Sequence, residues 1–125
     1  MKSKTWLLCV LTLTLLATIV SQPASAQVLY GSVVGNVQDP SGSAVPNAAI
    51  TLTNKATAVA YEGKGDDLGR YSIVNVQPGV YDLKVTAQGF RTLSKTDITV
   101  AANTVARENV QLEVGTLTEQ ITVQA

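Results

Sequence analysis

At 125 residues, with nine Lys or Arg against nine Asp or Glu, the chain carries no net charge and gathers no basic cluster. Nucleic acid and anionic membrane surfaces are therefore poor partners for it. It has no His and a single Cys, Cys9, so it lacks both the usual zinc ligands and the base that would activate a nucleophile.

The first stretch reads as separate from the fold. Lys2 and Lys4 stand ahead of an apolar run from Trp6 to Val20, and Ala24-Ser25-Ala26 supplies an Ala-x-Ala cleavage pattern. Residues 1–26 read as a signal peptide, with Gln27 opening the mature chain. A retained anchor is the alternative, for which the run is short against the about 20 apolar residues of a helical span. Cys9 does not mark a lipoprotein, because Trp6-Leu7-Leu8 lacks the small residue that precedes a lipid-bearing Cys. What remains is 99 residues with seven basic and nine acidic side chains and no Cys. That is enough for one domain with one core, built without disulfides.

After a lead-in from Gln27 to Ser32, Val33, Gly35 and Val37 alternate with Val34, Asn36 and Gln38. This is the period of a strand with one buried side. Gly35 marks either a bulge or a place where a large neighbour lies over the backbone. Asp39-Pro40-Ser41-Gly42 is a turn, in which the Asp bonds to its own backbone, Pro presets φ and Gly closes. Ala48 to Asn54 forms the next strand, with Ile50 and Leu52 inward and Thr51 and Thr53 outward. Ala58 to Gly63 is a weaker strand carrying Val59 and Tyr61.

Asp67-Leu68-Gly69 then turns the chain into a short strand whose Tyr71 and Ile73 share one side. Pro78-Gly79 reverses it again, and Tyr81, Leu83, Val85 and Ala87 face one way along a longer strand. Gln88-Gly89-Phe90 breaks the alternation, with Phe90 capping one end of the core. Arg91 to Val100 follows, with Ile98 and Val100 inward, and Ala101 to Thr104 is a turn. Val105 to Val114 alternates next, with Val110, Leu112 and Val114 on its inner side. Gly115-Thr116 separates a last extended piece, Leu117 to Ala125. Short strands parted by turns every 8–12 residues or so predict an all-β, antiparallel sandwich of about seven strands over residues 27–114. Residues 115–125 are then a linker or extended strand. A small closed barrel is the alternative.

The turns and strands together carry a resemblance. Gly31-x-Val33-x-Gly35-x-Val37-x-Asp39-Pro40-x-Gly42-x-x-Val45-Pro46-x-Ala48-x-Ile50, then Asp67-x-Gly69-x-Tyr71-x-Ile73, Pro78-Gly79-x-Tyr81-x-Leu83-x-Val85 and Gly89-Phe90 resemble the carboxypeptidase regulatory-like domain. The resemblance implies a transthyretin-like, carbohydrate-binding-like sandwich over roughly residues 31 to 112. Asn47 and Gly65 depart from the residues most frequent at those places in the family, Gly and Thr, and both keep the turns plausible. The chain looks most like the version at the N-terminus of Oar-like TonB-dependent outer-membrane receptors. That implies export to the periplasm or outer membrane of a Gram-negative bacterium, ahead of a plug and barrel. Its partners would be that plug and barrel or a TonB-type periplasmic protein, and only the barrel would bring it to the membrane.

No enzyme and no cofactor are expected. The carboxylates fall in turns or on wet strand faces, and Asp39, Asp66 and Asp67 lack the spacing of a calcium loop. The structural turns are set by Asp39, Gly42, Asp67, Gly69, Pro78 and Gly79. The tail segment, which loosely resembles a TonB box, is the candidate partner strand, with Glu119, Ile121 and Val123 as contacts; alternatively it pairs within its own domain. The competing function is a carbohydrate-binding module. Tyr71 and Tyr81 point inward by alternation and Phe90 caps the core, which leaves Tyr30 and Tyr61 as candidate sugar contacts.

Overall fold

The computed structural model describes residues 2–17, 23, 27–115 and 120–125. Lys2–Ala17 is a helix, α1, exposed where its side chains are described. Among the described residues no helix is long and apolar enough to cross a membrane. The strands are β1 (Gly31–Gln38), β2 (Ala49–Asn54), β3 (Ala60–Lys64), β4 (Arg70–Val76), β5 (Gly79–Thr86), β6 (Thr92–Val100), β7 (Val105–Arg107), β8 (Val110–Gln111) and β9 (Gln120–Gln124).

They form two sheets. In one, β1 lies between β4, antiparallel, and the parallel pieces β7 and β8; in the other the order is β3-β2-β5-β6-β9. Pairing in the larger sheet is antiparallel except for β9, which runs parallel to β6. The layers close over one core, with Val33, Val37, Ile50, Leu52, Tyr81, Leu83, Ile98 and Leu112 almost entirely buried. This is an open sandwich rather than a barrel. Pro78-Gly79 does not make a hairpin: it carries the chain from β4 in one layer to β5 in the other.

Two strands change face partway, and each does so at a bulge. Between Gly31↔Val76 and Val33↔Ile73, β4 holds one residue more than β1. Between Tyr81↔Ile98 and Leu83↔Lys95, β6 holds one more than β5. Asn75 (φ 57°) and Asp97 (φ 61°) sit at these places in the left-handed region, which Asn and Asp tolerate better than most residues. The extra residue lets Tyr71, Ile73 and Val76 all reach the core, although 73 and 76 differ by an odd number.

The strand expected from Val105 to Val114 is interrupted at Glu108-Asn109, and the cause lies opposite. A Cβ on Gly35 would overlap the Glu108 carbonyl and stand 2.9 Å from the Tyr71 ring. Of the two expectations for Gly35, the close neighbour is the one met, and the register through Gly35 runs without a bulge. Glu108 N–H donates to Val34 O at 2.8 Å, and the Asn109 side chain replaces a ladder acceptor by taking Asn36 N–H at 3.0 Å. The Tyr71 hydroxyl donates to Glu108 O, and the Glu108 carboxylate pairs with Lys95 from the other sheet. Val34 faces Arg107 and Val37 faces Val110, so the interruption adds no residue. Val114, expected inward, is 72% exposed, because β8 ends at Gln111 and only an isolated bridge joins Val114 to Phe90.

Turn chemistry also needs one correction. Asp39 Oδ1 accepts the N–H groups of Ser41 (2.9 Å) and Ser43 (3.0 Å), as an Asp opening a turn should. In the second turn this role belongs to Asp66 rather than Asp67. Asp66 Oδ1 accepts Leu68 N–H and Arg70 N–H, both at 2.9 Å, and Gly69 (φ 74°) completes the turn. A carboxylate one position earlier spans the four-residue loop that Asp67 would be too late to close.

Gly35→Ala should destabilise the domain by about 3 kcal/mol or more, through overpacking against backbone that cannot move aside. Tyr71→Phe should cost about 1–2 kcal/mol, the loss of one buried hydrogen bond; urea unfolding of residues 27–125 reads both. The carboxyl of Asp66 is held below its ordinary value, first by the Arg70 N–H, and that of Asp39 first by the Ser41 hydroxyl. A depressed carboxylate stabilises the fold above its unfolded value of about 4 and loses that contribution as pH falls through the folded one. Asp66→Asn should therefore lower the urea midpoint near neutral pH, with the gap to wild type closing as pH falls below the ordinary carboxylate range.

Candidate functional site

The tail segment lies on its own domain. Gln120–Gln124 pair with Thr92–Thr96 of β6, and Ala125 N–H donates to Thr96 O at 2.8 Å. Ile121 is half-buried against the core, whereas Val123 is 43% exposed over a shallow cleft with Leu93 and Val110. Glu119, the third expected contact, lies outside the described residues. In a parallel ladder each residue turns its N–H and C=O to one side, and neighbours alternate. With Ala125 bonded to β6, Thr122 and Gln124 direct their backbone groups to the open edge. That edge has no partner strand among the described residues.

The opposite edge of the same sheet, β3, is built differently. It carries Glu62 and Lys64, and its Gly63 packs onto the Ile73 side chain of β4 across the sandwich. Charge and closure of this kind blunt an edge against further pairing. The described part of β9, Gln-Ile-Thr-Val-Gln, has no charge, Pro or Gly.

The two candidate tyrosines separate. Tyr61 is half-buried: its ring meets Tyr81 edge-on, with centroids 6.1 Å apart, and its hydroxyl accepts Gln77 N–H at 3.3 Å. It packs against the core. Tyr30 is 44% exposed at the mouth of β1, its carbonyl held by Asn103 N–H at 3.1 Å. It lines a cleft of about 260 Å³ with Ser32, Val74, Asn75, Asn103 and Thr104. Asn75 comes from the β4 bulge, within a stretch that reads as plain strand in the sequence, and Asn103 (φ 55°) from the β6–β7 turn expected over Ala101 to Thr104. A larger cleft, about 660 Å³, opens beside Asn47, Lys84, Thr86 and Gln88, none of them a candidate site residue in the sequence.

The remaining polar groups do structural work. Lys55 pairs with Asp97 at 2.6 Å and stands 3.9 Å from Asp82, clamping the β6 bulge. Burial pushes the Tyr71 hydroxyl well above its ordinary value, the Glu108 charge adding to it, so it remains the donor to Glu108 O. Among the described residues, no three His, Cys, Asp or Glu side chains gather as a metal site would need.

Comparison with known proteins agrees with this architecture. The pattern of the carboxypeptidase regulatory-like domain matches residues 32–113. No curated protein matches the chain. Among solved structures it is similar to a candidate carbohydrate-binding protein from Bacteroides uniformis, at 18% identity and a TM-score of 0.57, covering 67% of this chain and 41% of that one. It is similar to hydroxyquinol 1,2-dioxygenase from Pseudomonas putida at 11% identity and a TM-score of 0.56, covering 74% and 59%. The pilus 2b backbone protein of group B streptococcus follows at 17% identity and a TM-score of 0.52, covering 77% and 46%. The chain thus spans less than two thirds of each of these chains, and at such identities the likeness is one of fold. Two layers with transthyretin-like strand order, and a match running from β1 past β8, lead to one conclusion: the chain belongs to the carboxypeptidase regulatory-like domain family and is a β-sandwich whose kinship supports a non-catalytic role.

Proposed function

We propose that this protein is an exported accessory domain that makes protein–protein contacts, and that its setting is the periplasmic N-terminal end of a TonB-dependent outer-membrane receptor. The single observation that carries the reading is the open edge of β9. There an uncharged strand presents the N–H and C=O groups of Thr122 and Gln124 with no strand beside them among the described residues. Such an edge recruits a strand from another chain, with main-chain hydrogen bonds giving affinity and alternate side chains giving selectivity. Val123 adds an exposed apolar contact on the same strand. The leader-like run from Trp6 to Val20 with its Ala24-Ser25-Ala26 pattern supports export.

The test uses residues 27–125 and a purified TonB C-terminal domain, titrated by calorimetry. Thr122→Pro removes one outward N–H and leaves the bonds to β6 intact, since Pro is tolerated where a strand's N–H faces solvent. Binding by wild type, weakened about tenfold or more in Thr122→Pro and in Val123→Asp, is the expected outcome. No heat of binding at high micromolar concentration, or equal binding by Thr122→Pro, would remove the β9 edge from consideration.

A further inference from the structure

From the cleft at the start of β1 we infer a second site, one that binds a neutral saccharide. It is independent of the β9 edge, being made by the smaller sheet and the β6–β7 turn. Its floor and wall combine the exposed ring of Tyr30 with the side chains of Asn75, Asn103, Ser32 and Thr104. An aromatic face suits the apolar face of a pyranose ring. Amides that both donate and accept suit the adjacent hydroxyls of the sugar; the Ser32 hydroxyl extends that inventory, while the Thr104 hydroxyl, which donates to Ala101 O at 2.6 Å, adds an acceptor.

Two observations sharpen the ligand class. First, no charged side chain lines this cleft, whereas three others carry Lys84, Asp82 with Lys84, and Lys95. A neutral ligand is thus favoured over a phosphate, a carboxylate or an amine. Second, the backbone brings the two Asn residues to the same cleft from different elements. Asn75 stands on a bulge and Asn103 in a turn whose N–H holds the Tyr30 carbonyl, both at positive φ.

The experiment is affinity electrophoresis of residues 27–125 through gels containing xylan, mannan or a mixed-linkage β-glucan, with polygalacturonate as the charged comparison. Wild type should be retarded by at least one neutral polysaccharide. Tyr30→Ala should weaken that retardation about tenfold, and Asn75→Gly and Asn103→Gly several-fold each. Glycine relieves the positive φ while deleting the amide, so these two variants read recognition even if Tyr30→Ala fails to fold. Tyr61→Phe and Thr122→Pro should bind as wild type, which separates this site from the β9 contact. The inference is overturned by no retardation in all three neutral gels. It is equally overturned by wild-type retardation in both Asn variants, or by retention in polygalacturonate alone.

Discussion

The close approach of the Glu108 peptide to Gly35 organises the smaller sheet and fastens it to the larger one. No residue but glycine leaves room for that carbonyl. With the peptide there, one residue touches three strands: its N–H reaches β1, its carbonyl receives the Tyr71 hydroxyl of β4, and its carboxylate meets Lys95 of β6. The ion pair by itself adds little net stability once desolvation is counted. Its value is positional, because it locks the interrupted third strand at one height between the layers. The buried, hydrogen-bonded Tyr71 ring then fills the space beside Gly35 that a side chain would otherwise take.

Around that anchor, irregularities do what the regular strands cannot. The bulges at Asn75 and Asp97 each shift the alternation by one, keeping Val76 and Ile98 in the core while turning a polar residue out. A sheet without them would expose an apolar side chain at one end of each strand. The outward residue becomes chemistry on the surface: Asn75 beside Tyr30, and Asp97 against Lys55. Surface function thus follows from a packing requirement.

The two flanks of the sandwich differ for a related reason. On one, β3 folds over β4 through Gly63 and carries opposite charges on the strand itself. On the other, β9 pairs with β6, carries no charge, and has no further strand on its outer side among the described residues. Sheet edges of this second kind favour partners, and the asymmetry gives the domain a definite direction for assembly.

Much of this was legible in the residues alone. The inward sets Ile50–Leu52, Tyr71–Ile73 and Tyr81–Leu83–Val85, the Asp39–Gly42 turn and the two-layer all-β class all follow from period-two alternation and turn chemistry. These are nearest-neighbour properties, written wherever a strand has one wet face. The odd spacing from Ile73 to Val76 even held the signal of a bulge. What the tertiary structure alone decided were the long-range choices: that β4 and β5, adjacent in the chain, lie in different sheets; that Asp66 rather than Asp67 closes the turn; that Val114 faces water. It also decided that Tyr61 belongs to the core and Tyr30 to a cleft, and that residues 120–124 pair with β6. Each depends on which distant backbone arrives alongside, as Glu108 arrives at Gly35, and a local pattern holds no record of that neighbour.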